Sequence, residues 1–154
     1  MLDIDDFDRR ILGELQRDAT LTTQDLADRV GLSPSPCWRR VRRMQETGMI
    51  RAQVVLLDPR ALGLDAMAHI HVSLLDHTEA TIARFDDFVQ RSDQVLECAS
   101  ITGSDDYVLK VVAQGPEDLE RFLMRDLLAL GVVRSSTTHF VLRQTKATTA
   151  LPLR

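Results

Sequence analysis

The 154-residue sequence predicts an α+β protein with two domains, a winged helix-turn-helix followed by a ferredoxin-like βαββαβ domain. Three observations lead to this fold class. Apolar residues recur at helical spacing in the first third of the chain, and strand-like segments dominate only after it. Arginines are concentrated in a short stretch of the first part. Residues 1–60 carry ten basic and ten acidic side chains, whereas residues 61–154 carry nine and thirteen. We therefore expect domains over residues 1–60 and 61–154.

The first two helices are predicted from their capping residues. Asp5 is a candidate N-cap with Asp8 at the third helical position, and an apolar stripe with a 3.6-residue period follows. Thr22 precedes Asp25 by three residues in a similar capping pattern. Gly31 then provides a natural helix end.

The third helix completes a helix-turn-helix. Ser33 is its predicted N-cap, Pro34 its first helical residue and Gly48 its end. Two helices joined by a tight turn after a first helix match the motif whose last helix enters the DNA major groove. The segment Ile50–Leu57 is strand-like, and we predict a short wing or linker strand there.

The second domain is predicted to alternate strands and helices in the order β-α-β-β-α-β, which is the ferredoxin-like arrangement. One strand is apolar on both of its faces, so we expect a second subunit to cover the open face of the sheet. The predicted elements are the strand Ala66–Leu75, the helix Glu79–Arg91, the strands Val95–Thr102 and Tyr107–Ala113, the helix Pro116–Leu130 and the strand Val132–Leu142.

The third helix also carries a basic face opposite its apolar stripe. Arginine binds guanine edges and phosphates, and hydroxyl groups near a helix start contact phosphates or bases. An ordinary solvated arginine face is the alternative, and Trp38, the only tryptophan, fits either the core or a nucleotide contact. The candidate DNA-binding residues are Thr22, Thr23, Ser33, Ser35, Pro36, Trp38, Arg39, Arg40, Arg42 and Arg43.

Other classes of protein find little support in the sequence. It contains no nucleophile elbow, catalytic cysteine signature or phosphate-binding glycine loop, so we expect neither an enzyme nor a cofactor. His69 and His71 have a spacing that metal ligands use, but no third ligand follows convincingly, and an interface role is favoured. Cys37 and Cys98 are expected to be buried free thiols. Without a secretion signal or a long apolar run, the expected location is the cytoplasm.

At the level of whole motifs, the chain resembles the leucine-responsive regulatory protein and asparagine regulator (Lrp/AsnC) family, also called feast/famine regulators. The similarity covers nearly all of the sequence. The residues that carry the similarity are those of the first helix, the helix-turn-helix segment Leu26–Met44, the short motifs Gly48-Met49-Ile50, Leu57-Asp58-Pro59 and Gly63-Leu64, the loop Thr102–Leu109 and the C-terminal segment Lys146–Pro152.

The resemblance implies a sequence-specific transcriptional regulator that binds double-stranded DNA and is modulated by an amino acid or related small molecule. It implies a dimer built through the sheets, commonly assembled into tetramers or octamers. Because a symmetric dimer presents two reading helices, the operator should be roughly palindromic. An architectural protein that bends DNA with little ligand regulation is the alternative function.

The implied effector site is the loop Gly103-Ser104-Asp105-Asp106, although a hairpin turn alone would also account for its composition. The resemblance places Asp106 at the ammonium group of the ligand. Members usually have an aromatic residue where this sequence has Asp105. Either Asp105 turns to solvent, or it meets a second positive group on the ligand, or the site no longer binds an amino acid.

Overall fold

The computed structural model describes residues 4–153, so the outermost residues of the two predicted domains lie outside the described part. The chain forms two compact units. Unit 1 takes its residues from Met1–Leu56 and Lys146–Arg154, and unit 2 from Leu57–Thr145. The predicted division after residue 60 assigned the C-terminal segment to the second domain, whereas the structure groups it with the first. The reason is a pair of hydrogen bonds that joins Gln16 to the backbone of Leu151.

Unit 1 contains the three predicted helices, which are α1 over Asp6–Arg17, α2 over Thr23–Val30 and α3 over Pro34–Glu46. The predicted reciprocal capping box of Asp5 and Asp8 is present at the start of α1. The apolar stripes of the three helices pack against one another and form one core. An apolar helix face is removed from water only when another element covers it. The buried members are Ile11, Leu26, Ala27, Val30, Cys37 and Met44.

The turn between α2 and α3 depends on Gly31. Its φ of 74° lies in the left-handed region that favours glycine, and it ends α2. The next N–H group, that of Leu32, donates to the carbonyl of Ala27 at 2.9 Å. Ser33 occupies the predicted N-cap position of α3, but its side chain makes no capping hydrogen bond there.

The predicted strand Ile50–Leu57 is wrong for this chain. After α3 the backbone continues without a strand partner anywhere in the described residues. Four consecutive apolar side chains, Val54–Leu57, are left exposed, from Leu57 at 67% to Val55 at 83%. A strand requires a neighbour to take its backbone hydrogen bonds, and the apolar pattern alone does not supply one.

Unit 2 is a four-stranded antiparallel sheet, with β1 over Ala66–Leu74, β2 over Val95–Ser100, β3 over Tyr107–Ala113 and β4 over Val133–Phe140. The strand order across the sheet is β2-β3-β1-β4. With one helical connection between β1 and β2 and another between β3 and β4, this is the ferredoxin-like arrangement. The predicted α+β fold is confirmed.

The two helical connections of unit 2 differ in regularity. The first, α4, is an α-helix over Glu79–Arg91. The second has the predicted extent but changes type along its length. It begins as α5 over Pro116–Arg121, continues with π-type hydrogen bonding over Phe122–Leu127 and ends as a 3₁₀ turn at Leu128–Leu130. Both connections pack on the same buried core, whose largest members include Phe85, Phe122, Ile70, Leu109 and Leu127.

Candidate DNA interface and candidate effector site

The outward face of α3 is formed by Ser35, Trp38, Arg39 and Arg42, all of which are exposed. Their spacing of three and four residues places them on one side of the helix, opposite its buried stripe. None of the ion pairs found among the described residues involves Arg39. This face therefore offers hydroxyl, aromatic and cationic groups to the surroundings of unit 1.

Trp38 lies outside the core, with 48% of its surface exposed. The guanidinium carbon of Arg42 stands 5.2 Å from the centre of the indole ring, within the range of a cation–π contact. Arg42 also donates to Glu46 at 2.7 Å in an exposed pair on the same helix. Exposed pairs of this kind contribute little free energy, so Arg42 can exchange Glu46 for a phosphate at low cost.

Asp8 anchors two other arginines of α3. Its carboxylate is 1% exposed and accepts hydrogen bonds from Arg40 at 2.9 Å and from Arg43. Arg40 also donates to Asp5 at 2.7 Å. A hydrogen bond from the backbone of Asp8, together with Arg40, holds the pKa of Asp5 below its ordinary value. Sequence reasoning treated Asp8 only as a helix cap and missed this role, which fixes α3 against the start of α1.

The predicted DNA-binding residues consequently fall into two groups. Arg40 is 27% exposed and is engaged inside unit 1, whereas Arg43 keeps 52% of its side chain exposed while it contacts Asp8. The structure brings most of the other predicted residues to the surface around α3. Exposed are Thr22, Thr23, Ser33, Ser35, Trp38, Arg39 and Arg42, and half-buried is Pro36.

The predicted effector loop Gly103–Asp106 is fixed to the end of β1. The backbone N–H of Asp106 donates to the carbonyl of Val72 at 2.9 Å. Its carboxylate accepts from the N–H of Leu74 at 2.7 Å and contacts His77 Nε2 at 2.8 Å. The hydrogen bond with His77, followed by that from Leu74, holds the pKa of Asp106 below its ordinary value. Asp106 is therefore an ionised, oriented group at the edge of unit 2.

Asp105 turns towards the open face of the sheet. One of its oxygens accepts from the hydroxyl of Ser73 at 3.1 Å, and the other accepts from Ser104 at 3.0 Å. The second oxygen also lies 3.7 Å from His71 Nδ1. With 24% of its side chain exposed, Asp105 does not extend into solvent in this structure. Its contact with a ligand stays a prediction.

The histidines of β1 and β4 lie close together on the same open face. His69 stands opposite His139 in the strand register, and the rings of His71 and His139 meet edge to face at 5.3 Å. Within residues 4–153, no three potential ligands are arranged to hold a metal ion. The predicted interface role of these histidines stays open.

The two cysteines differ in their environment. Cys37 is completely buried in the core of unit 1, as predicted, and burial raises the pKa of its thiol. Cys98 is exposed, so the prediction of burial is wrong for it. The reason is its position on β2, an edge strand that has a neighbour only on one side.

A basic helix-turn-helix joined to an antiparallel sheet with an oriented acidic loop defines the class of two-domain transcriptional regulators that bind small ligands. Residues 4–51 match the family model described as winged helix-turn-helix DNA-binding. Residues 67–151 match the model described as Lrp/AsnC ligand binding domain. The chain belongs to the Lrp/AsnC family of transcriptional regulators, and the resemblance seen in the sequence is confirmed. The ligand-binding domain supports an effector-modulated regulator over the purely architectural alternative.

Relatives match over almost their whole length. The chain is 38% identical over 149 residues to the HTH-type transcriptional regulator AldR of Mycolicibacterium smegmatis, covering 97% of this chain and 87% of that protein. It is 32% identical over 152 residues to the leucine-responsive regulatory protein of Escherichia coli, covering 99% and 93%. Among solved structures, a transcriptional regulator from Neisseria meningitidis in complex with L-methionine superimposes with a TM-score of 0.94 at 34% identity, covering 97% of each chain. No helix in the described part is long and apolar enough to cross a membrane.

Proposed function

We propose that the DNA affinity of this regulator is set by an amino acid, or a closely related small molecule, that binds at the Gly103–Asp106 loop. The observation that carries the proposal is the oriented carboxylate of Asp106, which β1 and His77 hold ionised at the edge of unit 2. An ionised, fixed carboxylate suits the ammonium group that all α-amino acids share.

The proposed binding of DNA is supported by the groups on the outward face of α3. Arg39 and Arg42 would contact guanine edges or phosphates, and Ser35 and Trp38 would lie beside them. Thr22, Thr23 and Ser33 are exposed hydroxyl groups near the starts of α2 and α3, where phosphate contacts are common. Pro36 would shape the first turn of α3. Arg40 and Arg43 would act mainly by holding α3 on Asp8, with Arg43 also able to reach a phosphate.

The chemical class of the effector follows from the groups around the loop. The Neisseria meningitidis relative is described in complex with L-methionine, which makes that amino acid the first candidate to test. Gly103, Ser104 and Asp105 complete the proposed site. If Asp105 leaves Ser73 to face the ligand, a second positive or strongly polar group on the effector would be favoured, because an unpaired carboxylate is costly to bury.

A second copy of the chain would complete the regulator. Two surfaces of the described chain are suited to it, the open face of the sheet and the exposed apolar segment Val54–Leu57. A two-fold dimer would bind a roughly palindromic DNA site, and tetramers or octamers would extend it. As its relatives are transcriptional regulators, we propose that the chain is not an enzyme and acts in the cytoplasm, where bacterial DNA lies.

The proposed binding of an amino-acid effector is tested by thermal unfolding of the full chain in the presence of each of the twenty standard amino acids in turn. We expect at least one of them to raise the Tm of the wild-type protein in a concentration-dependent way, since a ligand that binds the folded state stabilises it. The variant Asp106→Asn should lose that rise. The matched control Asp126→Asn, which changes an exposed aspartate outside the loop, should keep it. If no amino acid moves the wild-type Tm, the proposed effector class is contradicted.

A further inference from the structure

The C-terminal segment of the chain, residues 146–153, returns to unit 1 after the sheet of unit 2 is complete. We call this segment the tail. It contacts α1 through one side chain that uses both ends of its amide. The Nε2 of Gln16 donates to the carbonyl of Leu151 at 3.2 Å, and the N–H of Leu151 donates to Oε1 of Gln16 at 2.5 Å. The side-chain amide of Gln16 therefore pairs with both backbone polar groups of Leu151, its N–H and its carbonyl.

The tail lines one side of an open cavity of about 520 Å³, and residues of α1 and α2 line the rest. Docking buries little apolar surface, because Leu151 remains 71% exposed and Leu153 36% exposed. A segment with few buried contacts and solvent-accessible hydrogen bonds opens at a small cost in free energy. The tail can therefore exchange between a docked and an undocked state without the unfolding of unit 1.

The position of the tail in the chain gives this exchange a consequence. The chain passes between the two units twice, first near residues 56 and 57 and again near residues 145 and 146. The first passage follows the segment that has no strand partner among the described residues. The second begins shortly after β4, whose pairing with β1 extends from Ala68 to Leu74. The loop Gly103–Asp106 is hydrogen-bonded to that same stretch of β1.

On the side of unit 1, the tail contacts the helix that positions α3. Gln16 and Asp8 both belong to α1, and Asp8 holds Arg40 and Arg43. The docked tail thus contacts the helix against which α3 packs, and it follows β4 in the chain by a few residues. Spatial continuity does not by itself produce coupling, which requires an element with two states that both sites influence. The tail supplies such an element.

We propose that the tail is a coupling strap, with Gln16 as its latch, and that its docking links the state of the Gly103–Asp106 loop to DNA binding by α3. This inference rests on the proposed function. Because coupling between two sites is reciprocal, DNA bound to unit 1 must also alter unit 2 through the strap. That direction can be measured without knowing the effector.

The experiment is hydrogen–deuterium exchange of the full-length protein with and without a DNA duplex that the wild-type protein has selected from a random library. Gln16→Ala and Leu151→Pro remove the contact from its two sides, and Gln90→Ala changes an exposed glutamine of α4 as the matched control. In the wild type and in Gln90→Ala, bound DNA should change exchange in residues 103–106 and 133–140 by about fivefold or more. In both latch variants that change should be lost, while their DNA affinity without effector stays within about twofold of the wild type.

Each outcome decides between the alternatives. A DNA-induced change in unit 2 that persists in both latch variants would overturn the strap and leave the proposed function intact. A large loss of DNA affinity in both variants would show that the tail merely stabilises unit 1, which also overturns the strap. Failure of the wild-type protein to select any duplex would contradict DNA binding itself, and with it the coupling. The two variants remove the same contact from its two partners. If one of them fails to fold, the exchange measurement on the other still tests the strap.

Discussion

At the scale of single residues, Asp8 concentrates the electrostatics of unit 1. It caps α1 and binds two arginines of α3 while it is almost completely buried. We predict that Asp8→Asn lowers the free energy of unfolding by about 3 kcal/mol, because both guanidiniums lose their buried counter-charge. Chemical denaturation followed by the fluorescence of Trp38 measures this directly. The control Asp6→Asn, at an exposed first-turn position, should change stability by less than about 0.5 kcal/mol. Equal stability of the two variants would contradict the role assigned to Asp8.

The arginines on the outward face of α3 should behave differently, because both are exposed and neither has a buried partner among the described residues. We predict that Arg39→Ala weakens DNA binding with an unchanged Tm. If Arg39 contacts a phosphate, the slope of log affinity against log salt should fall by about one, and if it contacts a base, sequence preference should relax. Arg91→Ala, on an exposed site of α4, is the control for a lost positive charge. Unaltered affinity of Arg39→Ala would mean that the DNA-facing surface is assigned wrongly.

At the scale of elements, alanine substitutions of two glycines in unit 1 are expected to change stability in opposite directions. Gly31 ends α2 at a φ of 74°, whereas Gly13 lies within α1, and an added Cβ would meet nothing within 4 Å at either position. Gly31→Ala should therefore destabilise the protein by about 1 kcal/mol through backbone strain alone. Gly13→Ala should stabilise it by up to about 1 kcal/mol, because alanine is the better helix former. Thermal unfolding of both variants checks the two signs, and a shift in the same direction would refute this explanation of the turn.

The helices and strands that could be predicted are those whose signals are local. Caps at Asp5 and Thr22, the glycine at position 31 and the alternation in β1 all act within a few residues, and the structure contains the corresponding elements. The segment Ile50–Leu57 was predicted as a strand because its side chains favour one, yet a strand also needs a partner, which the sequence of one chain does not reveal.

For the candidate sites, as for the helices and strands, local patterns could be predicted and contacts between distant segments could not. The face of α3 was predicted from residue types at fixed spacing, whereas the Gly103–Asp106 loop was predicted as an effector site only through the resemblance to the family. Sequence reasoning could not find the pairing of Asp8 with Arg40, which are 32 residues apart. It could not find the return of the tail either, because both contacts depend on packing between distant segments.

At the scale of the whole molecule, the surfaces that a single chain leaves uncovered predict that it associates with a second copy. The open face of the sheet carries His69, His71 and His139, and Val54–Leu57 exposes four apolar side chains. We predict that the full chain is at least a dimer at micromolar concentration, because an exposed run of apolar side chains such as Val54–Leu57 is usually covered by a partner. Light scattering after size exclusion gives the mass. The mass of one chain, 17.4 kDa, would contradict the prediction.

Under the proposed function, a small molecule bound in unit 2 changes the affinity of unit 1 for DNA. Fluorescence anisotropy of a labelled duplex, selected by the protein itself, measures that affinity at fixed salt with and without L-methionine and then with each other amino acid in turn. We expect at least one amino acid to change the Kd by about fivefold or more, the usual size of coupling between two sites. A salt-dependent Kd that no amino acid alters would contradict the claim.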